Sequence, residues 1–270
     1  MLLAAVLPVH AGIRWDIEYL SSPMLEGRGF ATRGDAEASF YIIRRLRSIG
    51  LEARVQCFRT QDGAGHNVYA VVQGNPRSDK YILVCARYDG LGTIQGNMYP
   101  GADANASGAA VMLYLAQTLK DCGGNFIFAA LDAHAQAMAG AAEFSGLSYK
   151  ISMAVNLDTI GSTLAPPNKY RPDFLIALGG QEFEKELEKA NYGPRLRLYY
   201  DYYRSKSFTE YFYTKSSEHA VFLRKGIKCV MFTSGITMNT NKVSDTAETL
   251  DYEVLERRAE LIRTWLAGLK

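Results

Sequence analysis

The chain has 270 residues, 48% of them hydrophobic and 21% charged, with a net charge of +2. That length and apolar share fit one globular α/β domain with a full core. So even a charge balance argues against nucleic acid or an anionic membrane as a partner. Cys57, Cys85, Cys122 and Cys229 show no CxxC spacing; three lie in apolar strand-like runs, where cysteine behaves as a small buried hydrophobe, and a pairing stays open.

In chain order, Met1–Ala11 is apolar and ends in Val-His-Ala before Gly12. It resembles the back half of a secretory signal without its charged leader. The expectation is export, periplasmic or secreted, with a domain over 12–270. No other segment approaches the roughly 20 apolar residues of a membrane span. Trp15–Leu20 reads as a short helix. Arg33–Ile49 reads as a longer one, with Ala36, Phe40, Ile43 and Leu46 on its buried face and Gly50 as its stop. Leu51–Phe58 and Asn67–Gln73 are strand candidates around a turn holding Asp62-Gly63, Gly65 and a structural His66.

Tyr81–Cys85 is a short apolar run suited to a sheet covered on both faces. Gly101–Gly108 is a loop of small and polar residues, and Gly108–Lys120 a helix burying Val111, Met112, Leu115 and Leu119. Phe126–Leu131 is a second buried strand, ending at Asp132-Ala133-His134. Ligands of open α/β sheets bind beyond the carboxyl ends of the strands. Arg87-Tyr88-Asp89 and Asp132-Ala133-His134 therefore mark the place for chemistry. Ile151–Ile160, Phe174–Leu178 and Cys229–Phe232 read as further strands, and Gln181–Ala190 as an amphipathic helix with a solvated Glu/Lys face. Tyr192–Tyr213 interleaves aromatic and basic residues. It reads either as an aromatic binding surface or, preferred here, as an edge strand and loop packed on the sheet. Tyr252–Leu269 closes the chain as a helix with Val254, Leu255, Ile262, Trp265 and Leu266 inward.

Several of these segments together resemble a known family, the zinc-dependent aminopeptidases of the di-zinc exopeptidase group, related to glutaminyl cyclases. The family pattern has His-x-Asp at one strand end and Gly-Ala-Asp-Asp-Asn-x-Ser-Gly opening a helix. A strand ending in Glu-Glu, an Asn-x-Asp, a Ser-Asp-His-x-x-Phe and a final histidine before Asp-Thr follow. This chain carries the frame of each, in order, between Leu25 and Glu253. The resemblance implies a single-domain, three-layer αβα sandwich on a mostly parallel mixed sheet.

The family's chemistry uses five ligands for two zinc ions and a carboxylate base that takes a proton from the bridging water. On this resemblance the first histidine falls on Arg87, with Asp89 kept. The bridging aspartate falls on Ala104, between the matching Asp103 and Asn105. The base falls on His134, its ligand neighbour on Ala135 and the final histidine on Asn241, while Asp158 of Asn156-Leu157-Asp158 is kept. Alanine offers zinc nothing, arginine stays charged and repels it, and asparagine is a poor ligand. The implied site is vestigial: Arg87, Asp89, Ala104, His134, Ala135, Asp158 and Asn241. No cofactor is expected, and Arg87 is expected to take the metal's electrostatic role by pairing with Asp158 or Asp89.

Three functions follow. The first is a non-catalytic relative of the aminopeptidases, kept as a binding or scaffold protein, with peptides or small molecules in the residual cleft and Arg87, His134, Asp158 and His219 as binding residues. The second is an active zinc exopeptidase recruiting His66, His134, His219, Asp103 and Asp132. The third is metal-free acid/base chemistry by His134 with Asp132 or Asp158.

Overall fold

Strands whose side chains are apolar on both faces must be covered on both, and that requirement builds the molecule. The structure is a computed structural model describing residues 12–202 and 205–269; the Met1–Ala11 run lies outside the described residues. The strands are β1 (Arg54–Thr60), β2 (Gly63–Gln73), β3 (Lys80–Arg87), β4 (Thr93–Ile94), β5 (Asn97–Met98), β6 (Asn125–Leu131), β7 (Lys150–Leu157), β8 (Phe174–Leu178), β9 (Arg197–Tyr199) and β10 (Lys228–Thr233). Apart from the small β4–β5 hairpin they form one eight-stranded sheet in the order β1-β2-β6-β3-β7-β10-β8-β9 among the described residues. Neighbours from β6 through β3 and β7 to β10 are parallel, as are β8 and β9, while β1–β2, β2–β6 and β10–β8 are antiparallel.

The helices are α1 (Ile13–Leu20), α2 (Arg33–Ser48), α3 (Gly108–Leu119), α4 (Ala139–Phe144), α5 (Glu184–Ala190), α6 (Lys206–Lys215), α7 (His219–Arg224) and α8 (Tyr252–Gly268). The two-residue period of a strand divides β6 between two cores. Phe126, Phe128 and Ala130 join α1, α2, α3 and α8 on one face. Ile127, Ala129 and Leu131 join Ala141 of α4 and Val221 and Phe222 of α7 on the other. Those three layers are the expected sandwich. Thr32 and Asp251 cap α2 and α8 by accepting from Asp35 N and Val254 N, each contact contributing about 1 kcal/mol. No helix among the described residues is long and apolar enough to cross a membrane.

Four local expectations are corrected. Phe40 of α2 is 60% exposed; the buried stripe runs through Ala38, Tyr41, Ile42 and Arg45. The stripe turns because Arg45 is drawn inward by Asp16, whose carboxylate accepts from its Nε at 2.7 Å and from the Tyr41 hydroxyl at 2.6 Å. Gly65 and His66 lie within β2 rather than in a turn. Cys57 is exposed because β1 is an edge strand, and all four cysteines are free. The tyrosine-rich segment supplies the short edge strand β9 but then the helix α6, no residue of which is buried; Tyr202 ahead of it is buried and stacks on Phe212.

Candidate functional site

Parallel pairing brings the carboxyl ends of β3, β6 and β7 side by side, with Arg87 opposite Leu131. Each strand there hands its next residues to the same spot: Asp89 after β3, His134 after β6 and Asp158 after β7. The irregular turn Ala102–Ser107 leads into α3 above them. Asn105 fastens this turn to the sheet, its amide donating to the carbonyls of Arg87 at 3.1 Å and Leu157 at 2.9 Å while its Oδ1 accepts from Thr159 N. Gly108 lets the helix approach: a Cβ there would meet Leu157 O at 2.3 Å. The carboxylate of Asp245 accepts from the backbone N–H of Asp103 and of Ala104. Arg28, wholly buried, clamps the surrounding loops by donating to the carbonyls of Leu20, Tyr88, Pro100 and Gly101.

Arg87 is 7% exposed. Its Nε lies 3.6 Å from Asp158 Oδ1, an ion pair longer than a hydrogen bond, and Nη1 donates to the carbonyl of Asp89 at 3.2 Å. Burial works against its charge, but Asp158 and Asp89 outweigh it and raise its pKa further. Asp89 Oδ2 accepts from His134 N at 2.9 Å. Burial and then Asp132 push the Asp89 carboxyl up to about 7, against the pull of Arg87 and His134.

His134 makes the shortest polar contact here, Nδ1 to Glu218 Oε1 at 2.6 Å, and Glu218 Oε2 accepts from the Ser217 hydroxyl at 2.6 Å. Glu218 is 1% exposed. Burial opposes its charge, yet His134, Arg87 and Ser217 hold it down at about 2. Burial would also lower His134, but Glu218 more than compensates and raises it. The imidazole therefore sits with Nδ1 fixed on a carboxylate and Nε2 without a partner among the described residues, the arrangement that orients a histidine toward a ligand or a proton.

Arg87, Asp89, Gly90, Leu91, His134, Ala135 and Asn241 surround a cavity of about 70 Å³. The nominated positions Arg87, Asp89, His134, Ala135 and Asn241 thus meet in one place, with Asp158 against Arg87 and Ala104 in the turn above. His219 does not join them. It is fully buried at the start of α7, with Nε2 on Tyr213 O at 2.6 Å and Nδ1 3.4 Å from the Asn156 amide, and burial lowers it to about 4. Both nitrogens are spent on structure, which removes His219 from the binding residues. The residues proposed for recruitment are dispersed: Asp132 accepts from the backbone of His66 and Ala133, and Asp103 from Gly161 N. Among the described residues no group of three His, Cys, Asp or Glu side chains is placed to hold a metal ion.

Glu218 is the residue that the sequence reading missed, since Ser217-Glu218-His219 drew attention to its histidine. A signal was available. Relative to the family pattern, a glutamate stands for an aspartate at 218, keeping the charge with a longer reach, and a histidine stands for a glutamate at 134, so that the acid at 218 gains a basic partner.

The profile of Peptidase family M28 matches residues 67–266. No curated protein matches the chain. Among solved structures, a zinc aminopeptidase from Bacillus subtilis is similar with a TM-score of 0.76 at 14% identity, over 95% of this chain and 94% of that one. LapB from Legionella pneumophila gives 0.76 at 17% identity, over 96% and 72%. A glutaminyl cyclase from Bacteroides thetaiotaomicron, bound to N-acetylhistamine, gives 0.72 at 15% identity, over 96% and 97%. At these identities the likeness is one of fold.

Proposed function

Since the chain belongs to Peptidase family M28, we propose that it is a member without the two-zinc chemistry of the fold, acting as a non-catalytic binding protein for a small molecule or peptide end. One observation carries the reading: a buried guanidinium, that of Arg87, stands 3.6 Å from Asp158, the one family ligand position whose residue is kept. Zinc takes thiolate, imidazole or carboxylate. Arg87 offers only N–H donors and a permanent positive charge, Ala104 and Ala135 have no donor atom, and Asn241 brings an amide. The residues present do not fit a pair of zinc ions, and no catalytic step is drawn through one. The cation that balances Asp158 is instead covalently part of the chain. Export, suggested by Met1–Ala11, belongs to the same proposal.

The test is metal analysis of protein purified without chelators, together with turnover of aminoacyl anilides in added zinc. The reading expects zinc well below one ion per chain and no turnover above that of Asp158→Asn. Zinc near two ions per chain with turnover lost on chelation overturns it.

A further inference from the structure

The cavity beside Arg87 has a chemical sign. Arg87 carries five N–H donors, and its one hydrogen bond is Nη1 to a carbonyl. Its Nε is buried and faces Asp158 Oδ1 at 3.6 Å, so the donors open to the cavity are those of the terminal nitrogens. Arg28, by contrast, spends donors of all three nitrogens on carbonyls. His134 lines the same cavity; its Nδ1 is held by Glu218, and its Nε2 has no hydrogen-bond partner among the described residues.

The acids stand behind these cations. Neither Asp158 nor Glu218 lines the cavity. Asp89 does: its Oδ2 accepts from His134 N, its Oδ1 is buried without a hydrogen-bond partner, and burial and then Asp132 push its carboxyl up to about 7, which lessens its negative charge. Arg87 therefore brings a permanent cation, and His134 an imidazole held at Nδ1 by Glu218, to a space whose other walls are Asp89, Gly90, Leu91, Ala135 and Asn241. About 70 Å³ holds a few ordered waters, and so the head of a small ligand rather than a peptide.

We propose that this cavity is a carboxylate subsite, in which the Arg87 guanidinium and His134 Nε2–H grip one carboxylate whose short aliphatic remainder lies toward Leu91 and Ala135. Paired N–H donors match the two oxygens of a carboxylate; the bond from Arg87 is charge-assisted, and that from His134 is so in its imidazolium form. Glu218 is a positioning residue: it fixes the ring through Nδ1 and favours the imidazolium, the form in which Nε2 also donates. Two sources share this chemistry, a free small carboxylic acid and the C-terminus of a peptide. The assignment rests on the metal-free reading above.

Calorimetric titration of the full chain tests it with acetate, acetamide and methylammonium, alongside N-acetyl-trialanine as acid and as amide. Acetate is expected to saturate one site and acetamide to bind at least about tenfold more weakly. Arg87→Gln and His134→Gln are each expected to cost acetate about tenfold; the second keeps the Arg87–Asp158 pair and so serves if the first fails to fold. Glu218→Gln is expected to weaken acetate and to lower the His134 titration seen by NMR, a shift that a merely structural role would not produce. Tighter binding of the peptide acid than of acetate identifies a chain terminus as the source; the reverse identifies a free acid. Equal binding of acetate and acetamide, preference for methylammonium, or no acetate binding overturns the subsite. In a zinc-free preparation those results leave the metal-free reading standing, whereas zinc near two ions per chain removes that reading itself.

Discussion

Replacing Arg87 with methionine keeps most of the side-chain volume and deletes the charge that the site is built around. At 3.6 Å the attraction lost is about 4–5 kcal/mol with an effective dielectric near 20. Relief of guanidinium burial offsets part of it, while Asp158, only 7% exposed, is left without its counter-charge. Breaking a buried pair costs about 3–5 kcal/mol. The separation exceeds hydrogen-bond length, so the low end applies, about 3 kcal/mol, or about 6–12 °C in Tm for a domain of this size. Urea and thermal unfolding at neutral pH measure it. Arg87→Met with Asp158→Asn is expected to recover about half of the loss, because the orphaned charge is then gone. An Arg87→Met protein melting within about 2 °C of wild type, or a double variant that simply adds the two single losses, refutes the claim that Arg87 neutralises this pocket.

Glu218→Gln is expected to bring the His134 titration, followed by NMR, down from its raised position. Glu218 is held at about 2 against an ordinary 4.5, so its contribution to stability is present above 4.5 and lost as pH falls toward 2. His134 is raised above 6.5, so its contribution is full below 6.5 and lost as pH rises through the folded value. The variant should therefore lose most stability between about pH 4.5 and 6.5, read from urea midpoints across pH. Asp103, pushed by burial and then by Asp245 up to about 7, keeps a proton in the folded state that the unfolded chain releases near 3.8. Its share of stability falls as pH rises between those values, by up to about 1.4 kcal/mol per pH unit, and Asp103→Asn is expected to flatten that slope in the same measurement. Gly108→Ala is expected to destabilise by about 1–3 kcal/mol, since its Cβ would press on Leu157 O at 2.3 Å and Asn105 Oδ1 at 2.5 Å; calorimetric Tm checks it.

Most helices were legible from their period and the central strands from short apolar runs. Phe126–Leu131 is apolar throughout and too short for a buried helix, which marks a covered strand, and Val254, Leu255, Ile262, Trp265 and Leu266 share one helical face. Periodicity failed where a polar pair outbid it: Phe40 matched the apolar spacing of α2, but the Asp16–Arg45 contact turned that helix. Asp16 lies 29 residues away in the chain, and nothing local to α2 announces it.

The same division holds at the site. The order of its motifs and the residue type at each can be read along the chain, and they say which positions bring a donor atom and which, as alanine, bring none, because donor chemistry belongs to the side chain alone. Which charges face one another was decided by the tertiary structure. His134 was weighed against Asp132 and Asp158 as partners, yet its ring meets Glu218, 84 residues on, at 2.6 Å. Glu218 lies at the start of α7, which packs on one face of the sheet, and His134 just beyond β6, a strand within that sheet. A partner across that gap is chosen by the packing of layers, which no spacing along the chain encodes.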